Sequence, residues 1–101
     1  MIKITIKETA EVTGGELISS SPDEIVSGFS IDSRTVKPGQ LFIAVKGENF
    51  DGHDFISEAF RAGAKGFIVS CLSKENRETP PGHVIVVNDT VSAMGKLAGY
   101  I

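Results

Sequence analysis

Two short apolar runs constrain this chain more than any other feature. They are LFIAV at 41–45 and GFIVS at 66–70. The first has no polar face at all, so a strand built from it must be covered on both sides, as inside a largely parallel sheet. Between the runs, HDFISEAFRAGA places Phe55 with Ala59, and Ile56 with Phe60, on one stripe at helical spacing. Asp51 suits the N-cap of that helix, Asp54 its first turn, and Gly63 its end. Strand, helix and strand within about 30 residues predict a right-handed βαβ unit. HVIVV at 83–87 extends the same sheet.

The flanking segments complete the pattern. MIKITI alternates Ile2, Ile4 and Ile6 with polar residues, the signature of a half-buried strand. Thr5 and Glu8 form a T-x-x-E capping box, which predicts a short helix ending at Gly14-Gly15. Leu17-Ile18 reads as a brief strand, and 25–31 as a strand with a weak point at Gly28. Pro38-Gly39 fits the two central positions of a tight turn. A last helix, capped by Asn88, Asp89 or Thr90, carries Val91, Met94, Leu97, Ala98 and Ile101. The expected fold is an α/β domain with a small mixed β-sheet flanked by helices. At 101 residues, 1–101 make one domain. The last helix stops on its apolar stripe without a polar terminator, which points to a piece of a longer protein.

Composition narrows the function classes. A net charge of −3 with no Lys/Arg cluster argues against a nucleic-acid surface. Any anionic ligand must be held by a few donors. The single cysteine, Cys71, allows no internal disulfide and reads as a small apolar filler. No apolar stretch approaches the ~18 residues of a membrane span, and the N-terminus does not resemble a signal peptide. These features fit a cytoplasmic protein.

No complete active site is visible. There is no G-x-x-x-x-G-K-[ST] phosphate loop and no G-x-G-x-x-G opening a helix. His53 and His83 lack metal-ligand companions at usable spacing. What remains is two loops, DSR after Ile31 and KGENFDGH after Val45. If the preceding strands are adjacent and parallel, both loops leave one carboxyl edge, where open α/β sheets bind ligands. Ser33 offers a hydroxyl and Asn49 an amide, Gly47 and Gly52 permit close backbone approach, and Phe50 offers a ring face. The second loop leads into a helix start, which favours an anionic group. Other readings stay open. Asp32 and Arg34 also fit a turn closed by a local ion pair. Phe50 also fits the core, His53 a helix start, and Lys46 and Glu48 a solvated surface.

The stretch DSRTVKPGQLFIAVKGENFDGHDFISEAFRAGAKGFIV resembles the N-terminal domain of the Mur ligases. The family's D-[ST]-R, P-G-x-L-F-x-A, G-x-x-x-D-G-H-x-F and G-A follow in order at family spacing. ITIKETAEVTGGEL at the start and VNDTVSAMGKLAGYI at the end resemble the branch that adds D-alanyl-D-alanine. The resemblance implies a three-domain parent, an ATP-dependent, ADP-forming acid–amino-acid ligase of peptidoglycan precursor synthesis. Its first domain holds the UDP end of UDP-N-acetylmuramoyl-tripeptide. ATP and magnesium belong to the central domain, and the partners of this domain are the substrate and its own central and C-terminal domains.

On that resemblance, uracil and ribose contacts fall on Ile31, Ser33, Glu48, Asn49 and Phe50. Arg34 serves the diphosphate or braces the loop, and Gly47 and His53 belong to the second motif. The domain itself carries no catalytic residue, no metal and no cofactor, and is expected to be inactive alone. Two alternatives remain. One is the ligase adding diaminopimelate or lysine to UDP-N-acetylmuramoyl-dipeptide. The other is a stand-alone nucleotide-binding or interaction module.

Overall fold

The computed structural model of the chain describes residues 4–18, 24–45, 55–70 and 83–100. In chain order its elements are β1 (Ile4–Thr5), α1 (Ile6–Thr13), β2 (Glu16–Leu17), β3 (Ile25–Val26) and β4 (Gly28–Ser30). There follow β5 (Gln40–Ile43), α2 (Ile56–Arg61), β6 (Gly66–Val69), β7 (His83–Val86) and α3 (Thr90–Tyr100). Five strands form the main sheet in the order β2-β7-β6-β5-β4. β4, β5, β6 and β7 pair in parallel, while β2 runs antiparallel along β7. The result is the mixed α/β sheet flanked by helices that the apolar runs demand.

The unbroken run at 41–45 is explained by two cores, one on each face of the sheet. Leu41 and Ile43 point with Ile68 and Ile85 into a core shared with Ile6 and Ala10 of α1 and Ala93 and Leu97 of α3. Phe42 and Ala44 point the other way, with Phe67, Val69, Val84 and Ala59 of α2. Phe42 and Phe67 meet edge to face with ring centroids 6.4 Å apart, the arrangement favoured by the ring quadrupoles. β5 and β6, parallel neighbours joined through α2, form the expected β-helix-β connection.

Local chemistry sets the boundaries. Thr5 and Glu8 cap α1 reciprocally: the Glu8 amide donates to Thr5 Oγ1 at 3.0 Å and the Thr5 amide donates to Glu8 Oε1 at 3.3 Å. This box overrides the strand alternation, because Ile6 begins the helix instead of continuing β1. Gly14 closes α1 at φ 70°, a left-handed conformation that suits glycine. Gly15 solves a different problem: a Cβ there would lie 2.6 Å from Ile85 Cγ2 and 2.8 Å from Val87 Cγ1. Pro38-Gly39 makes the predicted turn, with Gly39 at φ 89° and the Gln40 amide donating to the Lys37 carbonyl at 3.1 Å.

Several expectations are corrected. The strand expected over 25–31 is two strands in two sheets. β3 pairs antiparallel with β1, while β4 joins β5. The crossing falls at Ser27, whose amide donates to the Gly39 carbonyl at 3.0 Å. The brief strand near 17–18 begins one residue earlier, at Glu16. The described part of α2 starts at Ile56 with Phe55 at its N-cap and no side-chain cap. Phe60 lies on its solvent side, 47% exposed, because only Ala59 reaches the core fully. In α3 the buried positions are Thr90, Ala93 and Leu97, so Val91 and Ala98 face outward. Asp89 is the cap among the three proposed, its Oδ1 accepting from the Val91 amide at 2.9 Å. Ile2, Asp51, Asp54, Cys71 and Ile101 lie outside the described residues.

Candidate functional site

β4 and β5 are adjacent and parallel, with Ser30 opposite Phe42. Their carboxyl ends therefore share one edge of the sheet, as the two-loop reading requires. Residues 31–34 leave β4 at that edge and wind around the backbone of Asp32. The Asp32 carbonyl accepts from the Thr35 and Val36 amides at 3.1 and 3.2 Å and from Ser30 Oγ at 3.0 Å. The Asp32 side chain closes the turn from outside. Its Oδ1 accepts from the Arg34 amide at 2.8 Å and from Arg34 Nε at 3.2 Å, and its Oδ2 accepts from Arg34 Nη2 at 3.1 Å. This is the local ion pair named as the alternative reading of Asp32 and Arg34. The guanidinium beside Asp32 holds its carboxyl below the ordinary value, and the carboxylate raises Arg34 in return. The Arg34 side chain is 80% exposed, so the pair serves chiefly to fix loop geometry.

The turn borders a groove of about 450 Å³ lined by Ile31, Asp32, Ser33, Arg34, Phe55 and Glu58. Ile31 is 48% exposed, an apolar side chain held out over the groove instead of in the core. Ser33 is only 6% exposed. Among the described residues its hydroxyl makes no hydrogen bond, and no side-chain nitrogen or oxygen fully shut from solvent lacks a partner. The Ser33 hydroxyl is therefore open to the groove it lines. Phe55 and Glu58, three positions apart, sit on the same side of α2.

Of the residues singled out in the sequence, Ile31, Ser33 and Arg34 come together at this edge. Gly47, Glu48, Asn49, Phe50 and His53 lie outside the described residues. Phe55 and Glu58 were missed as groove residues: Phe55 was read only as part of the helical stripe, and Glu58 was not singled out. Their spacing from the end of β5 was the available signal. Among the described residues no three His, Cys, Asp or Glu side chains converge to hold a metal ion. No helix among the described residues is long and apolar enough to cross a membrane.

The sequence that builds this topology and its D-S-R turn also matches a known family. The model described as "Mur ligase family, catalytic domain" matches residues 25–100. The chain belongs to the Mur ligase family, and its fold is that of the family's N-terminal domain. It is 39% identical over 101 residues to UDP-N-acetylmuramoyl-tripeptide--D-alanyl-D-alanine ligase of Bacillus subtilis, covering 97% of this chain and 21% of that protein. It is 40% identical over 87 residues to the UDP-N-acetylmuramoyl-L-alanyl-D-glutamate--2,6-diaminopimelate ligase of Phocaeicola vulgatus, covering 86% of this chain and 17% of that one. The solved D-alanyl-D-alanyl ligase of Acinetobacter baumannii superposes with a TM-score of 0.83 at 28% identity, over 99% of this chain and 22% of its own. The chain thus spans about a fifth of the length of these relatives.

Proposed function

We propose that this chain is the substrate-anchoring domain of an ATP-dependent ligase that adds D-alanyl-D-alanine to UDP-N-acetylmuramoyl-tripeptide. In this reading the domain holds the uridine end of the substrate. ATP and magnesium act in a central domain, and the parent works in the cytoplasm. The observation that carries the reading is Ser33, buried yet with its hydroxyl uncommitted among the described residues, in a groove at the shared carboxyl edge of β4 and β5. Ile31 and Phe55 supply apolar surface for a planar base, and Ser33 a donor and an acceptor for its carbonyl and imide groups. Asp32 and Arg34 hold the turn. The second motif, with Gly47, Glu48, Asn49, Phe50 and His53, completes the uridine contacts in this reading.

The diaminopimelate-adding ligase is the second reading, favoured by the equally high identity to that enzyme over a shorter span. The match to the D-alanyl-D-alanine ligase extends over nearly the whole chain, including the capping-box helix, which supports the first. A stand-alone nucleotide-binding module is the third; a parent gene lacking a downstream G-x-x-G-K-[ST] would select it.

The test is a titration of isotope-labelled protein with UDP and with UDP-N-acetylmuramate, following amide shifts. Shifts confined to 31–34 and 47–53 are expected. The affinity is expected to be weak, because a ligand using part of its contact surface still bears the cost of immobilisation. Shifts centred on 71–82 or on α3 would overturn the assignment.

A further inference from the structure

Resting on the reading of the groove as a nucleoside site, we infer that Glu58 is a specificity-determining residue that accepts hydrogen bonds from the ribose hydroxyls. Among the described residues the groove has four polar side chains, and they are not equally available. Asp32 and Arg34 satisfy each other through two side-chain hydrogen bonds and a third from the Arg34 amide. That leaves the Ser33 hydroxyl and the Glu58 carboxylate, neither of which has a hydrogen bond or ion pair from its side chain among the described residues. Arg34 feels the Glu58 charge as well as that of Asp32. Among the described residues the groove therefore sets one cation, already paired, against two carboxylates.

This charge balance orients the ligand. An excess carboxylate repels a diphosphate, so the phosphates leave the groove and the nucleoside enters it. The two free groups then sort the nucleoside by its chemistry. Uracil is mostly acceptor, with two carbonyls and one N–H, and needs a donor, which Ser33 provides. A ribose diol presents two donors, and an ionised carboxylate is acceptor-only with two oxygens. An acidic residue beside the carboxyl edge of a parallel sheet meets ribose hydroxyls in dinucleotide-binding folds by the same logic. Glu58 stands on the exposed side of α2, so replacing it leaves the core untouched.

The experiment compares Glu58→Gln with the unaltered chain, titrating each with uridine and with 2′,3′-dideoxyuridine while following the amides of residues 31–34. Unchanged melting temperature confirms that the variant is folded. The expected result is that Glu58→Gln weakens uridine binding about fivefold to tenfold, the usual size of one lost charged hydrogen bond partly replaced by an amide acceptor. Dideoxyuridine should bind both proteins equally. Equal losses for the two ligands, or no loss for uridine while the 31–34 amides still shift, would overturn the role of Glu58 and leave the groove assignment standing. Absence of any shift at 31–34 with uridine in the unaltered chain would remove the groove assignment, and the role of Glu58 with it.

Discussion

The Tyr100 hydroxyl donates a hydrogen bond to Glu8 Oε2 at 3.1 Å, joining positions 92 residues apart. The other oxygen of the same carboxylate accepts from the Thr5 amide at 3.3 Å and completes the cap of α1. One side chain thus ties the end of the last helix to the start of the first. The accepted hydrogen bond, reinforced by the Glu8 charge, raises the Tyr100 pKa above its ordinary 10.0.

Tyr100 is the sole tyrosine, so phenolate absorbance reads this group alone. The titration midpoint in the folded protein is expected above 10.0, falling towards that value in Glu8→Gln. Because the folded pKa is the higher, the contact stabilises the protein below pH 10 and is lost as pH rises through the folded value. A midpoint at or below the ordinary value would mean the contact does not persist in solution.

Thr5→Ala removes the acceptor that binds the Glu8 amide at 3.0 Å. The expected loss is about 1 kcal/mol, which for a domain of this size lowers the melting temperature by roughly 4–8 °C. Thr5→Ser keeps the oxygen and should stay close to the parent. Equal melting temperatures for the Ala and Ser variants would show that the cap contributes nothing measurable.

Gly15→Ala should cost more than its size suggests. The added carbon would stand 2.6 Å from Ile85 Cγ2, 2.8 Å from Val87 Cγ1 and 3.0 Å from the Val86 carbonyl oxygen. Two of these belong to the well-packed core behind β7, so the loss is expected at about 1–3 kcal/mol, the usual range for overpacking. Urea denaturation measures it directly; a neutral result would mean α1 can move off the sheet freely.

These effects were legible in the sequence to different degrees, for physical reasons. Thr5 with Glu8, and Pro38 with Gly39, act within four residues, so their chemistry appears in the local string. The run at 41–45 announced a strand covered on both faces, and alternation of Leu41 and Phe42 between two cores is the consequence. The division of 25–31 between two sheets was hidden, because the partners of Ile25 and Phe29, Thr5 and Leu41, are chosen by tertiary packing. The parallel-strand argument placed Ile31 and Ser33 at the carboxyl edge of β4 and β5, where they line the groove. Phe55 and Glu58 were not read as their neighbours, because a helical stripe shows which face is apolar and not what lies beyond the end of the adjoining strand.

Ser33→Ala separates binding from folding at that edge. The hydroxyl has no partner among the described residues, so its removal should leave the melting temperature almost unchanged. If the proposed function holds, the Michaelis constant of the full-length ligase for the UDP-substrate should rise roughly twofold to tenfold, the equivalent of one hydrogen bond. A large fall in melting temperature with an unchanged Michaelis constant would make Ser33 a structural turn residue.

The amino edge of the sheet carries the acid-sensitive contact. Glu24 Oε2 bonds His83 Nε2, and Glu24 Oε1 lies 3.3 Å from Lys65 Nζ. Lys65 Nζ also donates to the Ile25 carbonyl at 2.8 Å, and the Ile6 amide donates to the Glu24 carbonyl at 2.9 Å. Glu24 therefore links the small β1–β3 sheet to the starts of β6 and β7. The hydrogen bond from His83, then that from Lys65, holds the Glu24 carboxyl below its ordinary 4.5. A folded pKa lower than the unfolded one gives stability that is fully present above pH 4.5 and is lost as pH falls through the folded value. Urea midpoints of the unaltered chain and Glu24→Gln should differ at neutral pH and converge below that range. Added salt should shrink the difference, because the cluster is solvent-accessible and screened. A gap that stays constant from neutral to acid pH would show that Glu24 acts through packing or a neutral hydrogen bond, with its charge contributing nothing.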